Sequence, residues 1–242
     1  MPQAPSGVSP LIAQGGPRNG LLESFRVLRN SIYFAGVEQR LKTLAVTSAR
    51  PTEGKTVTCA NLAAAMVMDG KSVVMVDCNM EHPDVRSLIR TSYDRGLTNA
   101  LLGECEVEKA VVAGEQTGLS LIPSGPMVLN FPELLNSERG RKVFAKLAEQ
   151  FDYVLLDCPS SENLGDLQMI TTVADGVVLV AKLGQTAAED LASVSETLMQ
   201  IGVPVIGFVV NGAERQEPRS ASSPGGSDDG LHSGKAKVQP KS

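Results

Sequence analysis

The stretch ARPTEGKT, Ala49 to Thr56, constrains the fold most, because a glycine, a lysine and a hydroxyl stand between a strand-like run and a helix-like run. LKTLAVTS before it reads as a buried strand, and VTCANLAAAMVMDG after it reads as a helix ending at Gly70. In that context the loop is a phosphate cradle. The backbone N–H groups of such a loop point at phosphate oxygens, Lys55 would reach the outer phosphates, and the Thr56 hydroxyl can ligate magnesium. Ala49 stands where G-x-x-x-x-G-K-[ST] has its first glycine, while Gly54, Lys55 and Thr56 follow the pattern. The expected nucleotide contacts are Pro51, Thr52, Glu53, Gly54, Lys55, Thr56 and Val57. A glycine turn with a surface lysine is the competing reading, and the flanking elements argue against it.

Two further segments suit the same chemistry. SVVMVD (Ser72 to Asp77) and YVLLD (Tyr153 to Asp157) are apolar, β-branched runs ending in aspartate. An aspartate at a strand end commonly caps a turn. In an open parallel sheet, however, ligands sit beyond the carboxyl ends of the strands, so both carboxylates would share an edge with the phosphate loop and flank a metal. Thr56, Asp77 and Asp157 are therefore the expected metal ligands, and Lys55, Asp77 and Asp157 the catalytic set.

Between residues 21 and 212 strand-like and helix-like segments alternate. Strands are expected near 43–48, 72–77, 119–122, 153–157, 175–181 and 204–210, and helices near 21–35, 55–69, 138–150, 164–172 and 186–201. The implied fold is α/β, a P-loop NTPase with a mostly parallel sheet and helices on both faces. Residues 1–20 are rich in Pro and Gly, and residues 213–242 in Ser, Gly and Pro with mixed charge, so a flexible leading segment and a disordered tail are expected there. A net charge of −5, without a basic cluster interleaved with aromatics, argues against nucleic acid as a partner. With no apolar run near the ~20 residues that cross a bilayer, and a start that lacks a signal-peptide pattern, the expected location is cytoplasmic. Four dispersed cysteines fit a reducing compartment. Cys78 and Cys158 each follow a metal-site aspartate, and read either as buried thiols or as a redox-responsive pair. His82 and His232 lack metal-ligand spacing.

In LLESFRVLRNSIYF, Leu21, Phe25, Leu28 and Ile32 form an apolar helical stripe with Glu23, Arg26 and Arg29 beside it. That E-x-x-R-x-x-R row reads as a solvated face or as a subunit contact through arginine forks.

Taken in order, ESFRVLR (23–29), TSARPTEGKT (47–56), VVMVDCNMEHP (73–83), GLTNALLGE (96–104), PELLNS (132–137), FDYVLLDCP (151–159) and ADGVVLVAKLGQT (174–186) resemble the bacterial tyrosine kinases of capsular and exopolysaccharide synthesis and export. These are a branch of the deviant P-loop ATPases related to septum-site and partitioning proteins. The resemblance implies ATP and Mg2+ as cofactors and a membrane adaptor or chain-length regulator as partner, which would hold the protein at the inner face of the membrane. It implies a homo-oligomeric ring closed through Glu23, Arg26 and Arg29. It makes Lys55 and Thr56 the nucleotide–magnesium pair, Asp77 and Asp157 the two Walker acids, and Asn211 an adenine contact, although an Asn before Gly212 also suits a turn.

The chain departs from the family pattern in its second motif. D-x-D-x-R is here Asp77-Cys78-Asn79-Met80-Glu81, so an acid has become an amide and a base an acid. Asn79 offers a carbonyl oxygen but no charge. The family's C-terminal tyrosine cluster is also missing, the only tyrosines being Tyr33, Tyr93 and Tyr153. Two functions stay open: transfer of phosphoryl from ATP to protein tyrosine, and a catalytically weak ATP-binding regulatory subunit of a polysaccharide export complex. A septum-site positioning ATPase is disfavoured, because Arg50 stands in place of that group's signature lysine and no C-terminal amphipathic membrane helix is visible.

Overall fold

The computed structural model describes residues 19–213, apart from 39, 90, 91, 115–117 and 163. The expected tail therefore lies outside the described residues except at Ala213. The expected leading segment does too, except that Asn19 and Gly20 already belong to the first helix.

Helix α1 (Asn19–Glu38) leads into β1 (Thr43–Ser48), α2 (Lys55–Val67) and β2 (Val73–Asp77). A 3-10 turn (Val85–Leu88), α3 (Leu97–Leu102), a second 3-10 turn (Val107–Ala110), β3 (Val112–Ala113), β4 (Leu119–Ile122) and α4 (Phe131–Asn136) follow. The chain continues through α5 (Glu138–Gln150), β5 (Tyr153–Asp157), α6 (Leu164–Thr171), β6 (Gly176–Lys182), α7 (Ala188–Gln200) and β7 (Val205–Asn211). All six expected strands and five expected helices form, within about two to three residues at their ends. The sequence reading did not anticipate β3, α3, α4 or the two 3-10 turns. These are two to six residues long, too short for a repeating apolar pattern to register.

The seven strands run in the order β3-β4-β2-β5-β1-β6-β7, parallel throughout except for the β3–β4 pair. Every residue of β1 and β2 is buried, as expected of parallel strands covered on both faces. One apolar cluster includes Ala45, Val74, Leu156 and Leu179 with residues of α3, α4 and α5. The other includes Leu44, Met75 and Leu155 with α1 and α2. Phe25 and Ile32 of the α1 stripe are buried in the second cluster, with Leu21 and Leu28 packed at its margin.

The strand order positions the site. Residue Asp77 stands level with Asp157 across β2 and β5, and Val46 of β1 pairs with Asp157 from the other side. The loop leaving β1 therefore passes over the ends of the strands that carry both carboxylates.

Candidate active site

The loop after β1 takes its shape from short-range bonds. The Ser48 hydroxyl donates to the Arg50 carbonyl at 2.6 Å, and the Arg50 N–H donates to Glu53 Oε2 at 3.0 Å. Glu53 is buried, and its second oxygen accepts from the Thr186 hydroxyl. Ala49 is packed in the core without a left-handed backbone, so the motif's first glycine is not sterically required here. Gly54 is required. It caps α2 at φ 93°, and a Cβ there would lie 2.5 Å from Asn211 Nδ2. Helix α2 opens directly on Lys55 and Thr56, presenting its unpaired N–H groups toward the loop.

Thr56 Oγ1 donates to Asp157 Oδ2 at 2.7 Å, while Asp157 Oδ1 is buried without a hydrogen-bond partner. An orphaned carboxylate oxygen behind the loop hydroxyl suits a hydrated hard cation. Asp77 accepts N–H bonds from Asn79 at 3.1 Å and from Val85 at 3.3 Å. Burial pushes the Asp77 carboxyl up to about 8, reinforced by the neighbouring Asp157 charge. Burial likewise lifts Asp157 to about 7, against the Thr56 bond and the Lys55 charge. Lys55 is buried, and desolvation lowers its pKa while Asp157, Glu53 and Asp84 oppose that shift. Two acids held side by side with only a partly desolvated lysine as counter-charge, and that lysine itself, each gain when a cation and an anionic phosphate enter. Among the described residues no group of three or more His, Cys, Asp or Glu side chains could hold a metal alone.

A cleft of about 980 Å³ opens over these groups, lined among others by Lys55, Thr56, Asn79, Asp84, Met127 and Pro159. Pro51, Thr52, Gly54 and Val57 also border it. Glu53 sits beneath as a strut. Asn211 lies on the far side of the loop, its amide nitrogen donating to the Glu53 carbonyl at 2.9 Å and to Thr58 Oγ1 at 3.2 Å. These contacts brace the loop at Glu53 and the first turn of α2 at Thr58, which leaves the side-chain carbonyl as the group that could meet a base. Asp84 was not among the expected site residues; an acid in a turn after a strand carries no distinguishing local signal.

The subunit-contact row is split. Glu23 and Arg26 are half-exposed and pair with each other at 3.6 Å. Arg29 is engaged within the chain. Its guanidinium bonds the Ala65 carbonyl at 3.1 Å, pairs with Asp69 at 3.3 Å and lies over the Tyr33 ring, which stacks on Tyr153. Cys78 and Cys158 are fully enclosed, and burial raises both thiols, which makes them poor nucleophiles.

A family profile described as an AAA domain matches residues 41–203. The chain is 34% identical over 202 residues to the tyrosine-protein kinase YwqD of Bacillus subtilis (strain 168), covering 84% of this chain and 85% of that one. It is 30% identical over 208 residues to the tyrosine-protein kinase wzc of Salmonella typhimurium; those residues are 86% of this chain but only 29% of the longer relative. Among solved structures, the kinase domain of Escherichia coli tyrosine kinase ETK superposes with a TM-score of 0.78 at 27% identity, over 86% of this chain and 84% of that one.

Proposed function

The chain belongs to the AAA-domain family and, within it, to the bacterial tyrosine-protein kinases, and from that membership we propose that it binds ATP with magnesium and phosphorylates tyrosine on a partner protein. The observation that carries the reading is the Thr56–Asp157 bond behind a glycine-capped helix, with Lys55 and Asp77 beside it. Lys55 and the α2 N–H groups would bind the triphosphate, and Asn211 would meet adenine through its carbonyl oxygen. Magnesium, when bound, would neutralise charge on the triphosphate. Thr56 and Asp157 would hold it, with Asp77 alongside.

The γ-phosphoryl group passes from ADP oxygen to the phenolic oxygen of tyrosine, and the phenolic proton passes to ionised Asp77. In the cell the protein would control capsule or exopolysaccharide production, held at the inner face of the membrane by an adaptor or chain-length regulator. Glu23 and Arg26 would contribute to a ring of subunits. Among the described residues no helix is long and apolar enough to cross a membrane itself.

Asn79 and Glu81 favour a second reading, an ATP-binding regulatory subunit with little phosphotransfer. Incubating the protein with labelled ATP, magnesium and a glutamate–tyrosine copolymer, followed by phospho-residue mapping, separates the two. Phosphotyrosine on the copolymer supports the kinase; bound nucleotide without it supports the regulatory subunit. Absence of ATP binding overturns both. Lys55→Met serves as the control, and losing its charge-assisted phosphate contact costs about 1.5–3 kcal/mol of affinity.

A further inference from the structure

Position 79 brings an uncharged amide to a cleft whose metal side would otherwise present another carboxylate. Five residues downstream, the chain carries Asp84 into the same cleft. Asp84 precedes the 3-10 turn Val85–Leu88, and its side chain makes no capping bond to that turn. The turn is closed instead by the Asp84 carbonyl, which accepts from the Ser87 N–H at 3.0 Å and from the Ser87 hydroxyl at 2.7 Å. The next residue, Val85, is buried and donates its N–H to Asp77 Oδ2. The backbone under Asp84 is thus tied directly to the first Walker acid, while the carboxylate itself is left exposed in the cleft.

Its charge is felt at three groups of the site: it supports protonated Lys55 and opposes ionisation of Asp77 and Asp157. Glu81, which also borders the cleft, is not among the principal charges acting on any of the three. Independently, Asp157 Oδ1 is buried without a hydrogen-bond partner, an acceptor that a cation would satisfy. We propose that Asp84 returns to this site the carboxylate that position 79 lacks, as a positioning residue that faces the hydrated magnesium of a bound nucleotide opposite Asp157. This rests on the nucleotide-binding reading given above. A carboxylate on the outer side of a hydrated magnesium accepts hydrogen bonds from its waters and needs no direct ligation, which suits a side chain projecting from a turn.

The test is calorimetric titration of ADP into the full chain, in EDTA and across a magnesium series, for the parent, Asp84→Asn, Asp84→Glu and Asn79→Asp/Asp84→Asn. For Asp84→Asn the magnesium concentration giving half-maximal enhancement of ADP binding is expected to rise about tenfold, because a hard cation loses one carboxylate partner. Binding in EDTA should be equal or tighter, since one negative charge near the phosphates has gone. Asp84→Glu should keep most of the magnesium response, and Asn79→Asp should restore it in the Asp84→Asn background. An unchanged magnesium midpoint for Asp84→Asn overturns this proposal while leaving nucleotide binding intact. Equal weakening with and without magnesium overturns it as well, because that marks a structural role. A parent that binds no ADP under any condition overturns the nucleotide-binding reading itself, and the present proposal with it.

Discussion

Asn79 is the residue at which this chain departs most from its family, and its surroundings say what a substitution would do. Its backbone N–H serves Asp77, its side-chain oxygen accepts from the His82 N–H at 3.3 Å, and it borders the cleft. An aspartate would keep that turn bond and add charge. Asn79→Asp is expected to raise ATP turnover about tenfold, equivalent to about 1.4 kcal/mol of transition-state stabilisation. Pairing it with Glu81→Arg restores the family's basic position and tests whether the Glu81 charge opposes the gain. Initial rates over a magnesium titration check both; rates equal to the parent at every concentration would mean that Asn79 does not limit the site.

Asp77 and Asp157 also set a pH dependence. Their folded-state values, about 8 and about 7, lie above the ordinary aspartate value near 3.8. The folded protein therefore holds more protons than the unfolded chain between these limits, so stability in metal-free buffer falls as pH rises from about 4 toward 8. Thermal melts with EDTA should show that decline. In Asp77→Asn, which has one such acid fewer, the decline should be shallower, and an equal slope would remove Asp77 as its source.

At the scale of elements, α1 has two separable duties. Arg29 ties it to α2 through the Ala65 carbonyl and Asp69, while Glu23 and Arg26 face outward. Arg29→Ala should lower stability by about 1–2 kcal/mol, the loss of a largely buried hydrogen-bonded charge, measured by denaturant unfolding. Glu23→Ala/Arg26→Ala should leave unfolding almost unchanged, because the pair is exposed. The same double variant should shift the mass in light scattering toward monomer with nucleotide present. Identical masses for parent and variant would remove these two residues from assembly. The shortest elements, α3, α4 and β3, escaped sequence reading for a related reason: each is held by what it packs against. Helix α3 starts where Gly96 meets the backbone of Gly125, an approach that no local pattern announces.

At the scale of the whole molecule, what matters is where tyrosines stand in this sequence. Residues 214–242 contain none, Tyr33 and Tyr153 stack on each other within the described fold, and Tyr93 is exposed. After incubation with ATP and magnesium, mass spectrometry should find residues 214–242 unmodified, and the oligomer mass should not drift with incubation time. Heavy phosphorylation of Ser220, Ser222, Ser223, Ser227, Ser233 or Ser242 would contradict this.

The alternation of strand and helix, the phosphate loop and the aspartates closing β2 and β5 were all legible in the sequence, because each is written in contiguous residues whose periodicity and backbone demands are local. The strand order that sets Asp77 level with Asp157 was implied only as a class, since pairing partners lie about eighty positions apart. Which charges meet was not legible at all. Arg29 turns inward because α1 packs on α2, which brings a carbonyl 36 positions away to its guanidinium. Asp84 enters the cleft because Val85 is drawn to Asp77. Tertiary structure decided these placements because a charged side chain on a helix face or in a turn carries the same local signature whether it meets solvent, a buried partner or a ligand.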